Sequence, residues 1–189
     1  MPAGRLLISL LLAALVGACA SASKDIYSDP NMDFGSVKNV AVLPFTNLSK
    51  DQQAGDRVRD VFITELLATG AVYVIPVGEM AKQLGVLVIL NPFAPGTEEI
   101  IKLSKALKAQ AVIMGVVREY GEFRSGSAAA NGISMSIELY EGETGRIVWS
   151  ASSTKGGVGL GERLLGGGGE LMNDITVKAV DEIINGLLK

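Results

Sequence analysis

Between residues 38 and 109, short continuous apolar runs alternate with segments in which apolar residues recur every three to four positions. A continuous apolar run at 38–45, KNVAVLPF, predicts a strand buried on both faces. Apolar residues at helical spacing within 51–69 predict an amphipathic helix that Gly70 ends. The pattern then predicts a strand at 72–76, a short helix at 78–84 ended by Gly85, a proline-containing loop at 86–96 and a helix at 97–109.

The remaining pattern predicts three consecutive strands and a closing helix. A buried strand at 111–123 is followed by a small, polar loop at 124–131. Apolar and polar residues then alternate strictly from Ile133 to Tyr140, which is typical of a half-buried strand. A tight turn at 141–145, a returning strand around Trp149 and a helical stripe at 172–187 complete the order. We therefore expect an α/β (α+β) fold with a mixed β-sheet flanked by helices, a three-layer domain like the anticodon-binding and Rossmann-like ones.

The first residues have the pattern of an export signal. One basic residue, Arg5, precedes an apolar stretch from Leu6 to Val16, and small residues lead to the single cysteine, Cys19. The apolar stretch is shorter than the roughly 20 residues that a transmembrane helix needs. The cysteine after small residues resembles the lipobox of bacterial lipoproteins, which implies cleavage before Cys19 and attachment of lipid to its sulfur. An ordinary cleaved signal peptide with an incidental cysteine is the alternative.

This interpretation divides the chain into three parts. Residues 1–18 form the lipoprotein signal peptide, residues 19–37 are small and polar and form a flexible tether, and residues 38–189 form a single α/β periplasmic domain. Ala20 follows the cysteine, where an Asp would favour retention on the inner membrane in related lipoproteins. The resemblance therefore implies a lipid anchor on the periplasmic face of the outer membrane.

Composition narrows the chemistry of this domain. The chain contains no histidine, so serine–histidine catalysis and histidine metal ligands are excluded, and lipid would consume its one thiol. The net charge of −3 gives no indication of binding to nucleic acid, which is typical of basic proteins. The four charged residues at Arg118, Glu119, Glu122 and Arg124 have alternating signs and indicate a solvated pair network. We expect no catalytic residue, no metal site and no cofactor.

A glycine-rich segment at 156–169, GGVGLGERLLGGGG, invites comparison with nucleotide-binding loops. It lacks the Lys and the Ser or Thr of a phosphate-binding loop, and Glu170 follows its last glycine instead. The simpler interpretation is a flexible connection. The functional hypothesis is that Leu160, Leu164 and Leu165 form an apolar lip that docks a partner protein.

Three stretches together resemble a known family. They are KNVAVLPFTNLS at 38–49, AQAVIMGVV at 109–117 and ISMSIELYEGETGRIVWSAS at 133–152. They resemble the periplasmic α/β family that includes the curli-secretion lipoprotein CsgG, the lipoprotein LpoB and the amino-terminal domain of TolB. The curli pore inserts two long hairpins into this domain. The corresponding stretches here, 124–131 and 156–169, are too short for two membrane-spanning pairs of strands.

These observations together predict an outer-membrane-anchored periplasmic lipoprotein that is a non-catalytic protein-binding or envelope-assembly factor. Its expected partner is a periplasmic or outer-membrane protein, and self-association stays open. One alternative is a subunit of a curli-type secretion assembly, and a second is a periplasmic ligand receptor or enzyme.

Overall fold

A computed structural model describes residues 26–125, 128–157 and 170–189. Its strands are β1 (Ile26–Ser28), β2 (Asn39–Val42), β3 (Thr46–Asn47), β4 (Tyr73–Val74), β5 (Ala111–Ser125), β6 (Ala128–Glu141) and β7 (Ile147–Gly156). The helices of the described residues are α1 (Ala54–Ala68), α2 (Val77–Val86), α3 (Thr97–Leu107) and α4 (Met172–Leu187), and a 3₁₀ turn lies at Phe34–Ser36. The predicted mixed α+β fold is confirmed.

The strands form one mixed sheet in the order β1-β7-β6-β5-β2-β4. β2 pairs in parallel with both β5 and β4, whereas β5, β6, β7 and β1 pair in antiparallel fashion. β3 continues the path of β2 and also pairs with β5, through Thr46 and Val116. The long central strand β5 therefore joins a parallel half of the sheet to an antiparallel half.

Helices cover the two faces of the sheet unequally. α1 and α4 pack on one face and bury a core that includes Phe45, Phe62, Met135 and Trp149. The Phe45 and Phe62 rings lie 5.8 Å apart in a tilted arrangement. On the other face, the core of α2 and α3 includes Leu43, Ile100 and Leu103 and lies over the parallel half of the sheet.

Local sequence explains how α1 is held in place. Its end is fixed by Gly70, which adopts the left-handed backbone conformation at φ 63° as predicted. Arg59 leaves the helix toward β2 and donates hydrogen bonds to the carbonyl oxygens of Leu43 at 2.9 Å and Val42 at 2.5 Å. Burial lowers the pKa of Arg59, while the nearby carboxylates of Asp56 and Asp60 oppose that shift. The guanidinium thus provides hydrogen-bond donors for two backbone carbonyl groups at the end of the short strand β2.

Three expected boundaries differ in the structure. The predicted loop at 124–131 is mostly strand, because β5 and β6 pair out to Ser125 and Ala128. The predicted tether extends too far, because Ile26–Ser28 pairs with β7 and Phe34 packs on the core. The second helix continues through Gly85 to Val86, since a glycine within a helix lowers stability without having to end it.

Candidate interaction surface

Half of one sheet face carries small polar side chains. On β6 the side chains of Ser134, Ser136 and Glu138 alternate with buried apolar residues, so they lie on the face opposite α1 and α4. On β7 the register places Ser150, Ser152 and Thr154 directly beside them, and Ser152 and Thr154 are exposed. Ser136 is buried between its neighbours, and Ser134, Glu138 and Ser150 are half-buried. We call these six residues the open sheet face. No helix of the described residues shields Ser152 or Thr154 from solvent.

Hydrogen bonds join neighbouring side chains of this face. The Ser134 and Thr154 hydroxyls lie 3.1 Å apart, with Thr154 donating. The Tyr140 hydroxyl donates to the Glu138 carboxylate at 2.7 Å. Burial raises the pKa of Tyr140, and the hydrogen bond and the negative charge of Glu138 raise it further. Tyr140 also packs against the core beneath α3, so it marks the boundary between the covered and open parts of the face.

The hairpin of β5 and β6 extends beyond the rest of the sheet. Pairing between β6 and β7 begins at Gly132, and the part of β6 before it pairs only with β5 among the described residues. The register shifts between Val117 and Glu119, where β3 no longer accompanies β5. At the tip, Arg124 contacts Glu122 at 2.6 Å with both side chains exposed, as the charge pattern predicted. The hairpin thus presents a two-stranded projection next to the open sheet face.

The outer edge of β7 is only partly paired. β1 covers Trp149, Ser150 and Ala151, whereas residues 152–156 have no strand neighbour on that side in the described part of the chain. Lys155 and Ser153 contact the Glu182 carboxylate of α4 at 2.8 and 2.7 Å. Unpaired edge strands are common places for another chain to pair.

The sequence-predicted site residues lie outside the described residues. These are Cys19, together with Leu160, Leu164 and Leu165 of the glycine-rich segment. The structure does place the two ends of that segment. Asn131 on the hairpin accepts a hydrogen bond from the Gly157 backbone at 2.8 Å and donates one to the Glu170 carbonyl at 2.9 Å. The segment therefore leaves and re-enters the fold beside the hairpin, a connection that no pattern in the sequence indicates.

Two further features bear on the chemistry of the fold. An apolar pocket of about 280 Å³ lies between the 3₁₀ turn, α1 and the end of α4, and its walls include Val40, Leu66, Ile113 and Leu187. Within the described ranges, no three His, Cys, Asp or Glu residues are grouped so that they could hold a metal ion. Within the same ranges, no helix combines the length and the apolar character needed to cross a membrane.

The fold resembles several solved structures at low sequence identity. The PelC dodecamer from Paraburkholderia phytofirmans matches with a TM-score of 0.58 and 16% identity, over 87% of this chain and 98% of PelC. The lipoprotein GNA1162 from Neisseria meningitidis matches with a TM-score of 0.52 and 21% identity, over 78% of this chain and 99% of GNA1162. The LpoB carboxy-terminal domain from Salmonella enterica matches with a TM-score of 0.50 and 14% identity, over 67% of this chain and 86% of that domain.

Comparisons of sequence add nothing to these matches. No family model matches the chain, and no curated protein is significantly similar to it. At these identities the structural matches establish the fold alone. They bear out the LpoB part of the expected resemblance at the level of the fold, while its CsgG and TolB parts stay predictions. The chain has the fold seen in PelC, in the lipoprotein GNA1162 and in the LpoB carboxy-terminal domain.

Proposed function

We propose that this protein is an outer-membrane-anchored periplasmic lipoprotein that binds another protein and has no catalytic activity. The observation that carries the proposal is the open sheet face, flanked by a projecting hairpin and by the outer edge of β7, of which the described residues pair only part. Binding is favoured there because exposed strand edges and small polar side chains allow a partner backbone to approach closely.

The anchor rests on Cys19 and on the pattern of residues before it. A diacylglycerol on that cysteine would hold the protein stably, because two acyl chains bind far more strongly than one. The similarity to GNA1162, which is itself a lipoprotein, supports this part of the proposal.

Self-association is the form of partner binding that the comparisons favour. PelC, which has the highest of the reported TM-scores, is a dodecamer. A ring or stack of identical subunits needs two different complementary surfaces on each copy. The outer edge of β7 and the projecting hairpin, which meet where Gly156 pairs with Gly132, are the two surfaces that we propose for this role.

The absence of catalysis is proposed from the residue inventory. The sequence has no histidine, and the described carboxylates include ones held in largely exposed ion pairs, such as Glu98 with Lys102 and Glu122 with Arg124. Such exposed pairs stabilise a protein surface only weakly. The apolar pocket near Leu66 and Leu187 favours the second candidate function, a receptor for a small apolar ligand.

Two substitutions on the open sheet face test partner binding. Ser152→Arg and Thr154→Arg place long charged side chains on exposed positions of β7. We expect the melting temperature to stay unchanged and the complex captured by cross-linking in intact cells to be lost. Glu143→Arg in the exposed turn between β6 and β7 is the matched control and should leave the complex intact. A complex that survives both substitutions on β7 would contradict the proposed surface.

The anchor is tested separately by Cys19→Ala. We expect unprocessed precursor and loss of the acylated form from the outer-membrane fraction, measured by fractionation and mass spectrometry. Normal processing with unchanged membrane association would exclude lipidation at Cys19. In the same assay of partner capture, Ser substitutions at Leu160, Leu164 and Leu165 test whether the glycine-rich segment contributes.

A further inference from the structure

A short surface segment after α2 exposes four large apolar side chains. Val86 is 64% exposed, Val88 68%, Leu90 89% and Phe93 47%. We call residues 86–93 the apolar loop. Single exposed apolar residues are ordinary on protein surfaces, but four within eight residues form a patch that marks an interaction site.

The backbone of the apolar loop holds this patch in place. Asn91 accepts a hydrogen bond from the Phe93 backbone at 3.2 Å through its side chain, and its carbonyl accepts one from Ala94 at 3.3 Å. The hydroxyl of Thr46 on β3 donates to the Phe93 carbonyl at 3.4 Å. Pro92 further restricts the turn. The side chains are therefore held at the surface by a defined turn.

One residue of the loop adopts a backbone conformation that does not suit it. Val88 lies in the left-handed region at φ 54°, a genuine outlier for a β-branched residue. It occupies the position after α2 where glycine is usual, with the Ile89 N–H bonded to the Leu84 carbonyl at 3.0 Å. Its side chain is largely exposed, so burial within this fold does not compensate the strain. Strain of this kind is typical of functional positions.

The composition of the loop indicates what it contacts. From residue 83 to residue 97 the chain has no charged side chain, and Lys82 and Glu98 flank this stretch. A protein interface usually carries a polar or charged rim. Insertion among lipid chains instead requires that charges be absent, because a charged side chain is costly to transfer into hydrocarbon.

The loop lies within reach of the proposed anchor. Seven residue steps separate Cys19 from Ile26, so their Cα atoms are at most ~25 Å apart. From β1 to β3 the sheet path β1-β7-β6-β5-β3 has four strand spacings, or roughly 20 Å. The register places Ile26 and Thr46 at similar heights along the strands, since they pair with Ala151 and Val116 respectively. The apolar loop beside Thr46 is thus close enough to the proposed anchor to reach the bilayer that would carry the lipid.

We propose that the apolar loop inserts into the interface of the outer membrane and orients the domain on the bilayer, a proposal that rests on the lipid anchor proposed above. Leu90 and Phe93 enter the acyl boundary, and Val86 and Val88 lie at the level of the headgroups. The anchor then limits the distance of the domain from the membrane, and the loop limits its rotation.

Trp149 is the single tryptophan and is buried, so a second tryptophan reports on its own surroundings. The full lipidated chain carrying Leu90→Trp is reconstituted into phosphatidylethanolamine–phosphatidylglycerol vesicles with brominated acyl chains. We expect the emission of this variant to shift to shorter wavelength and to lose intensity by quenching. Phe93→Trp, a conservative change, should behave in the same way.

Glu143→Trp is the matched control. The turn that contains Glu143 lies at the opposite end of the sheet, where Gly142 bonds to Gln110 beside the start of β2. The emission of this variant should be the same in vesicles with brominated and with unbrominated acyl chains.

The outcomes separate the loop from the anchor. If the acylated protein floats with the vesicles but neither Leu90→Trp nor Phe93→Trp is quenched more than the control, the anchor stands and membrane insertion of the loop is wrong; the patch then faces another protein. If mass spectrometry shows that Cys19 carries no lipid, the anchor fails, and selective quenching of the two loop variants by the same vesicles still supports the loop. Equal quenching of the loop variants and the control variant would contradict insertion of the apolar loop.

Discussion

Phe45 and Gly115 illustrate how single residues set the packing of the central sheet. The Phe45 ring lies flat against β5, where a Cβ atom at Gly115 would come within 2.7 Å of three ring carbons. Phe45 is buried and its ring also contacts that of Phe62 on α1. The sequence indicates an apolar strand through Gly115 but not that an aromatic ring takes the place of its side chain.

Gly115→Ala should therefore lower the free energy of unfolding by about 1–3 kcal/mol, because the buried ring must move in a close-packed core. Urea denaturation measures this loss. Gly78→Ala in α2 is the control, since the space around its Cβ is empty and alanine favours a helix. Equal stability of the two variants would show that the core adapts without cost.

Tyr140 makes stability depend on alkaline pH. Its raised pKa in the folded state means that the folded protein retains the phenol proton after the unfolded chain has lost it. This contribution is fully present below the unfolded pKa of about 10 and is lost as pH rises from there toward the folded pKa. Above a pH of about 10, we expect the free energy of unfolding to fall less steeply in the Tyr140→Phe variant than in the unsubstituted protein. Parallel slopes in the two proteins would contradict this assignment.

Among the secondary-structure elements, the hairpin and α2 show why boundaries differ from their predictions. The stretch around 124–131 is rich in Ser, Ala and Gly, which have low strand propensity, so its local pattern indicates a loop. Pairing with an already formed neighbour overrides that preference. Helix α2 likewise continues past Gly85. Its end depends on Val88 in the left-handed conformation, a position where sequence rules expect glycine or asparagine rather than valine.

Val88→Gly should increase the free energy of unfolding by about 0.5–1 kcal/mol. The left-handed conformation costs an L-residue about 1–2 kcal/mol, of which the greater freedom of glycine in the unfolded chain offsets a part. The valine side chain is largely exposed, so little burial is lost. Thermal and urea denaturation both measure the gain, with Val86→Gly at the end of α2 as a control that should destabilise slightly. A loss on Val88→Gly would mean that this side chain stabilises the fold itself.

At the scale of the whole molecule, the order of strands and helices followed from periodicity, because most elements are amphipathic and bury one face. The sequence alone could not identify β1, since three exposed residues have no periodicity to detect and their partner lies near the other end of the chain. It could not locate the open sheet face either, because which helices cover which strands depends on pairing between distant segments.

Two truncations test where the folded unit begins. A chain starting at Ile26 should match a chain starting at Ala20 in stability. A chain starting at Lys38 loses β1, the buried Asp29 with its 2.8 Å backbone bond to Val148, and the packing of Phe34. We expect it to be less stable by about 3 kcal/mol, from lost apolar burial and pairing. If the two chains have identical urea midpoints, the folded unit begins at residue 38, as the sequence predicted.

The pairing of β1 with β7 also affects the timing of folding. Ile26 finds its partner Ala151 only after about four fifths of the chain is available, and β2 must wait for β5 across three helices. Closing such long loops is slow, because their entropy is lost before any contact forms. A nascent chain with this topology cannot complete its sheet until much of its carboxy-terminal third has been made. A protein that has to be threaded through a translocation channel before it folds benefits from that delay.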